Sequence, residues 1–149
     1  MWNENKSINL SKICVIVFMV ALCLVLILGP YMVNWLLQLS SSARSAPAWL
    51  YLITIYTGGI GAGLLLFNLY GLLSNISGGE IYTRKNVAFM RRISWFCFYG
   101  AFIALLSGIY YLPWGLVGMA AAFIGLIVRV VKNVVEQAVI LKEENDYTI

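Results

Sequence analysis

The residues of this chain that could perform chemistry are few and widely separated. Acid–base catalysis, nucleophilic attack and metal binding need histidine, cysteine or carboxylate side chains held in one cluster. The chain of 149 residues has no histidine, and its cysteines, Cys14, Cys23 and Cys97, stand singly inside apolar segments. Glu80 and Glu136 lie outside those segments and far from each other along the chain. The sequence therefore predicts no enzyme activity, no cofactor and no metal site.

Most of the other charged side chains stand at the ends of long uncharged segments. Residues 45–79 and 93–128 contain no Asp, Glu, Lys or Arg. The chain is 62% hydrophobic, against roughly 45–50% apolar residues in a soluble domain, and its mean hydropathy is +0.87. Segments of this length and composition are able to cross the hydrocarbon core of a bilayer. The pattern predicts an integral membrane protein.

The apolar segments predict an all-α fold, a single membrane domain over residues 1–149 that contains a bundle of four transmembrane helices. The approximate spans are 13–39, 48–73, 93–111 and 114–130, with a central loop at 74–92 and a tail at 131–149. The first span continues through Pro30, because the apolar run before it is too short to cross a bilayer. A cleavable signal peptide or a lipoprotein signal is the alternative for this first segment.

The basic residues predict the orientation. With four spans, nine of the ten basic residues fall on one side of the membrane and only Arg44 on the other. The positive-inside rule then places both termini and the central loop in the cytoplasm, with the spans in the cytoplasmic membrane. Basic residues at segment ends suit anionic lipid headgroups. No soluble basic face is present, so direct binding of nucleic acid is not expected.

The central loop has signals for a turn followed by a helix. Gly78 and Gly79 are typical of a helix end, and Thr83 is a good helix N-cap. Val87 and Met90 then recur at helical spacing. We expect a short cytoplasmic turn-helix between spans two and three, and an extended C-terminal helix after span four. A plain loop with basic residues that set the topology is the alternative.

Small and polar residues mark candidate contacts inside the membrane. Small residues four apart let helices approach closely, and such positions are Gly59 and Gly63 in span two and Gly100, Ala104 and Gly108 in span three. Asn68 is expected to hydrogen-bond another helix rather than to act in catalysis. Arg129 ends span four, either as a charge in a transport pathway or, as the long side chain favours, reaching the headgroups.

The loop and the tail carry opposite charges on the same predicted side, which suggests one docking surface. Tail acids would attract the loop's basic residues, although exposed pairs contribute only about 0–1 kcal/mol each. The candidate docking residues are Glu80, Tyr82, Thr83, Asn86, Arg91, Arg92, Glu143, Glu144 and Asp146, with Arg84 and Lys85 as further cations and Ile81, Val135 and Ile149 as apolar support. The alternative is a solvated acidic tail that balances a basic inner face.

Two stretches resemble a known family. The run from Gly79 through Thr83 to Asn86, followed by Arg91-Arg92-Ile93, resembles the central signature of the DUF2975 family, and residues 141–149 (LKEENDYTI) resemble its C-terminal ending. The resemblance implies a small bacterial membrane protein without an assigned biochemical activity. It also implies a partner, a short helix-turn-helix transcription regulator.

These observations favour a non-enzymatic regulatory or sensing protein of the membrane. A small transporter or an immunity-type protein that works as a homo-oligomer is the alternative, since four helices alone enclose little room for a substrate. A structural role in lipid packing, without a partner, is a third. The sequence identifies no ligand, signal or regulated gene.

Single cysteines introduced by Ser42→Cys and Ser77→Cys, in a chain whose native cysteines are changed to alanine, test the orientation. We expect an impermeant maleimide to label position 42 in intact cells and position 77 only after the membrane is opened. The physical reason is that basic residues keep the central loop inside. Labelling of position 77 in intact cells would contradict the predicted topology.

Overall fold

A computed structural model describes residues 4–148 as four long helices and one short 3-10 turn. The helices are α1 (Glu4–Leu39), α2 (Ala48–Ser77), α3 (Arg84–Ser107) and α4 (Leu112–Tyr147), and the 3-10 turn is Ala43–Ser45. Residues 4–148 contain no strand, so the predicted all-α class with four helices is confirmed. Ile149, suggested above as apolar support for docking, lies outside the described residues.

All four helices are long and apolar enough to cross a membrane, which indicates an integral membrane protein. They also extend beyond the predicted spans. α2 runs to Ser77, and α3 already begins at Arg84, inside the predicted loop. The expected turn-helix is therefore a turn followed by the first part of α3, and α4 continues without a break into the tail. The helices are longer than the predicted spans because hydropathy marks only their apolar part, whereas a helix continues until a cap or a glycine ends it.

The helices pack in chain order, as a curved row. The backbones of α1 and α2, of α2 and α3, and of α3 and α4 come close together. No other pair of these helices has its backbones in close contact within residues 4–148. Residues from all four helices nevertheless line one apolar groove of about 310 Å³, so the row must curve around it.

The α3–α4 pair has close backbone contacts, because Gly108 at the end of α3 and glycines along α4 lie where the two helices meet. A Cβ atom built on Gly108 would lie 2.9 Å from the Cα of Gly115, and one on Gly118 would lie 2.8 Å from the backbone nitrogen of Leu105. One on Gly125 would lie 3.1 Å from the Cβ of Cys97. In lipid, where no hydrophobic force drives helices together, such close approach supplies the van der Waals contact.

The predicted small-residue positions differ in what they contact. A Cβ on Gly59 would lie 2.6 Å from Leu26 Cδ2 of α1, while one on Gly63 would be at an ordinary 3.7 Å from Leu22. Gly108 contacts α4, as described above, and Ala104 is buried. The structure differs from the prediction at Gly100, where a Cβ would have no neighbour within 4 Å. Gly100 lines the groove instead.

Aromatic side chains of α3 cover two glycines of α2 that the sequence analysis did not single out. A Cβ on Gly61 would lie 2.5 Å from the Tyr99 ring, and one on Gly71 would lie 2.9 Å from the Phe89 ring. At two positions along the α2–α3 contact, the missing side chain of a glycine therefore leaves the space that an aromatic ring of α3 occupies.

Gly118→Ala and Gly100→Ala test these contacts with the same added methyl group. We expect Gly118→Ala to lower the free energy of unfolding by about 1–3 kcal/mol, because the new Cβ would meet the α3 backbone. Gly100→Ala should be neutral or stabilising by up to about 1 kcal/mol, since its site is open and alanine favours helix. Thermal and SDS unfolding in detergent measure both. Equal losses would contradict the described packing.

Candidate functional site at the loop and tail

A buried asparagine fastens the loop between α2 and α3, which spans residues 78–83. The Asn86 side chain is 0% exposed. Its Nδ2 donates to the carbonyl oxygens of Glu80 at 2.6 Å and Ile81 at 2.9 Å, and its Oδ1 accepts from Asn75 Nδ2 of α2 at 3.0 Å. Because both amide hydrogens and the carbonyl oxygen are used, this single side chain ties the loop to both flanking helices. We call these three hydrogen bonds the Asn86 lock.

The two ends of the loop are capped as the sequence predicts. Gly78 ends α2, and Gly79 adopts a φ of +86°, a conformation that glycine reaches without steric cost. Thr83 Oγ1 accepts from the backbone nitrogen of Asn86 at 3.3 Å, so the predicted N-cap is confirmed. The Glu80 backbone nitrogen donates to the Asn75 carbonyl oxygen at 3.1 Å. These bonds give the motif from Gly79 to Asn86 a structural explanation.

The loop backbone is held in place while its apolar side chains remain uncovered. Ile81 is 47% exposed and Tyr82 is 49% exposed, and the Glu80 side chain is also exposed. The loop therefore presents two exposed apolar side chains on a backbone that hydrogen bonds hold in place.

The α4 extension lies against the start of α3 and is joined to it by ion pairs. Arg84 and Glu143 form a bidentate pair, with Nε–Oε1 at 3.1 Å and Nη2–Oε2 at 2.7 Å. Arg91 Nη2 lies 3.4 Å from Glu136 Oε1, and Lys132 Nζ lies 3.1 Å from Glu136 Oε2. Lys132 and Glu136 stand one helical turn apart on α4, the spacing at which helical ion pairs form. The pairs lie two helical turns apart on each helix, so α3 and α4 remain antiparallel neighbours beyond the apolar region.

The ion pairs shift the pKa values of their members. The hydrogen bond from Arg84 lowers the pKa of Glu143 from its ordinary 4.5, and the hydrogen bond and charge of Lys132 do the same for Glu136. The hydrogen bond to Glu143 raises the pKa of Arg84. Because the folded pKa of each carboxyl is lowered, its stabilising contribution is present above the unfolded pKa and is lost as pH falls through the lowered one. Solvent screens these exposed pairs, so their contribution is small.

The remaining predicted residues are separate from this network. Arg92, Glu144 and Asp146 are exposed and form no salt bridge among residues 4–148. Asn68 differs from the prediction, because its Nδ2 donates at 2.7 Å to the Leu64 carbonyl oxygen of its own helix. A bond one turn back satisfies the donor without a second helix. Arg129 lies over the Trp95 ring, with Cζ 5.2 Å from the centroid.

A second polar network, at the opposite end of the molecule, was not predicted. Thr54 Oγ1 lies 2.7 Å from Ser107 Oγ and 2.6 Å from the Tyr110 hydroxyl, linking α2 to the end of α3. The buried Tyr51 hydroxyl donates to the Ala43 carbonyl oxygen at 2.9 Å, and Arg44 donates to two carbonyl oxygens at the end of α1. Each group is satisfied by another polar group of the chain, so the network fits a role in holding helices together.

A metal site requires several ligating side chains held close together. Within residues 4–148 no three His, Cys, Asp or Glu side chains lie close enough to hold a metal ion. The loop and tail regions bring predicted residues from distant parts of the described chain into contact, as in the Arg84–Glu143 and Arg91–Glu136 pairs. The groups exposed there are apolar and charged side chains.

Residues 40–149 match a family described as "Protein of unknown function (DUF2975)". The chain belongs to this family. The match covers α2, α3 and α4, and so includes the Asn86 hydrogen bonds and both ion pairs between α3 and α4 of this DUF2975 member. No curated protein and no solved structure matches the chain.

Asn86→Ala tests the loop lock, with Asn133→Ala as the matched control on the exposed face of α4. We expect Asn86→Ala to lower the free energy of unfolding by about 2–3 kcal/mol, since three hydrogen bonds are lost and buried groups are left unpaired. Asn133→Ala should change it by less than about 0.5 kcal/mol. Hydrogen exchange should also speed up at residues 79–83 in the Asn86 variant alone. Unchanged exchange there would mean that other bonds hold the loop.

Proposed function

We propose that this DUF2975 protein is a non-enzymatic regulatory or sensing protein of the bacterial cytoplasmic membrane. Both termini and the α2–α3 loop lie in the cytoplasm, as the basic residues predict. Its partner is a small helix-turn-helix transcription regulator, which the family resemblance implies. The protein itself makes no direct contact with nucleic acid.

The fixed loop with uncovered Ile81 and Tyr82 is the observation that carries this proposal. The loop lies on the side of the basic residues, next to the ion-paired end of α4. Burial of an apolar side chain contributes about 1.5–3 kcal/mol. Because Asn86 already holds the backbone, a partner would not have to order the loop, and more of that energy would remain for binding. Exposed Glu80 and Lys85 lie on or next to the loop, where their charges would orient the partner.

Because α3 and α4 are continuous, they support the transmission of a packing change from the membrane to the ion-paired end next to the loop. Each helix runs unbroken from the apolar region into the ion-paired region. A change in how α3 packs on α4 within the bilayer would therefore displace Arg84 relative to Glu143 and Arg91 relative to Glu136. A sensing role requires such a coupled element with two arrangements.

A small transporter or immunity-type homo-oligomer is the second candidate, and the groove favours it. The groove is open and apolar, and Gly58 and Gly100 on its wall have no neighbour within 4 Å of a built Cβ. A second copy packed there would cover both glycines. The buried polar side chain of Asn68 bonds within α2 and gives a transport path little support.

Site-specific photocrosslinking tests the docking proposal. A photoreactive phenylalanine analogue replaces Tyr82, and a matched chain carries it at Ile109, which is 85% exposed and lies just beyond the opposite end of α3. In native membranes we expect a covalent adduct with a helix-turn-helix regulator at position 82 and none at position 109. Ile81→Ser should reduce that adduct several-fold while the protein level stays the same, because the apolar contact is lost.

The experiment distinguishes docking of a protein from contact with lipid and from nonspecific contact. An adduct only with lipid at position 82 would place Tyr82 in the membrane interface and would contradict docking of a protein. Equal protein adducts at positions 82 and 109 would indicate nonspecific contact. Transcription of the regulator's target should change in Ile81→Ser cells, whereas a transporter would show no such change.

A further inference from the structure

The ion pairs leave some cations of the molecule without an acidic partner. Glu143 is occupied by Arg84, and Glu136 by Arg91 and Lys132. Among residues 4–148, the basic side chains of α3 and α4 that form no salt bridge are Lys85, Arg92, Arg129 and Lys142. Two of these four, Arg92 and Arg129, lie near the same exposed tryptophan.

Trp95 is the tryptophan that Arg92 and Arg129 both have as a neighbour. Its ring is 58% exposed and is held edge-on by Phe98, with the ring centroids 6.5 Å apart. Arg129 of α4 lies with Cζ 5.2 Å from the Trp95 centroid, a distance at which a cation is attracted to the ring face. Arg92 precedes Trp95 by one turn of α3 and is exposed on a neighbouring part of that helix. The guanidinium of Arg129 is positioned by the ring, while no carboxylate takes up its charge within the described residues.

The depth of this cluster in the membrane follows from the sequence. Residues 93–128 are uncharged, so Trp95 and Arg129 stand at the boundary of the hydrocarbon core. Tryptophan concentrates at that boundary, and arginine extends from there toward the headgroups. Deeper in the uncharged region, Phe102 of α3 and Leu126 of α4 are exposed apolar side chains that lipid would surround. The cluster thus combines cations at headgroup level with an apolar surface at acyl-chain level.

We propose that Arg92, Trp95 and Arg129 bind the headgroup of an anionic phospholipid. The two guanidinium groups would donate hydrogen bonds to the phosphate oxygens, and the Trp95 ring would hold Arg129 in place. The acyl chains would lie along Phe102 and Leu126. Basic pockets between transmembrane helices are suited to such headgroups. This inference concerns a lipid ligand and does not depend on the docking partner proposed above.

Quenching of tryptophan fluorescence by brominated lipids tests the site in the full chain. The protein is reconstituted in vesicles with brominated phosphatidylglycerol or brominated phosphatidylcholine at equal mole fraction. The difference between the chain and its Trp95→Phe variant isolates the Trp95 signal from the other tryptophans. We expect the apparent affinity at Trp95 to be higher for phosphatidylglycerol than for phosphatidylcholine. Equal quenching by the two lipids would overturn the proposal.

Charge-removing variants separate a local site from a general attraction to anionic lipid. Arg129→Gln and Arg92→Gln should each reduce the preference for phosphatidylglycerol about fivefold. Lys142→Gln removes the same charge from an exposed position farther along α4 and should change the preference less than about twofold. Equal effects in all three variants would overturn the local site. Arg92 is exposed and makes no described salt bridge, so its variant remains informative should Arg129→Gln fail to fold.

The source of the phosphate is tested by competition. Inorganic phosphate or glycerol phosphate at millimolar concentration should leave the quenching by phosphatidylglycerol unchanged, because a lipid also gains from its acyl-chain contacts. Loss of the preference for phosphatidylglycerol on addition of either soluble anion would assign the site to a soluble phosphate compound instead.

Discussion

The close backbone contact between α3 and α4 is the interaction on which the rest of the described structure depends. In lipid, apolar side chains gain nothing from leaving water, so helices associate through close packing and polar bonds. Gly108, Gly115, Gly118 and Gly125 supply that approach along the pair, and Ser94 Oγ adds a hydrogen bond to the Gly125 carbonyl oxygen at 3.1 Å. The register set there carries α4 along α3 to the ion-paired end of the molecule.

The Asn86 lock and the α3–α4 register together define the surface at the loop end. The lock orients the loop relative to α2 and α3, and the register brings Glu143 to Arg84 and Glu136 to Arg91. An amide that is fully buried must have its bonds satisfied, which explains the placement of an asparagine three residues after the capping threonine. The family motif therefore has a physical role in building the surface.

The α3–α4 pair also carries the proposed lipid site, so the two proposed ligands bind the same structural element at different depths. Arg129 stands at the boundary of the uncharged region, and Glu136 lies two helical turns beyond it on α4. A lipid held between Arg92 and Arg129 would add a contact to the pair near its ion-paired end. The composition of the membrane and the contact with a cytoplasmic partner would then act on one helix pair.

Local sequence was enough to predict the helices, the glycine turn and the Thr83 cap, because each depends mainly on neighbouring residues in the chain. Only the tertiary structure decided that Gly118 contacts a neighbouring helix while Gly100 faces the groove. The same holds for the Arg84–Glu143 pair, whose members are 59 residues apart. Such contacts depend on the rotation and register of whole helices, and a nearly uniform apolar sequence contains little information about either. The hydrophobicity of a membrane helix shows that lipid surrounds it. It does not show which face of the helix packs against a neighbouring helix.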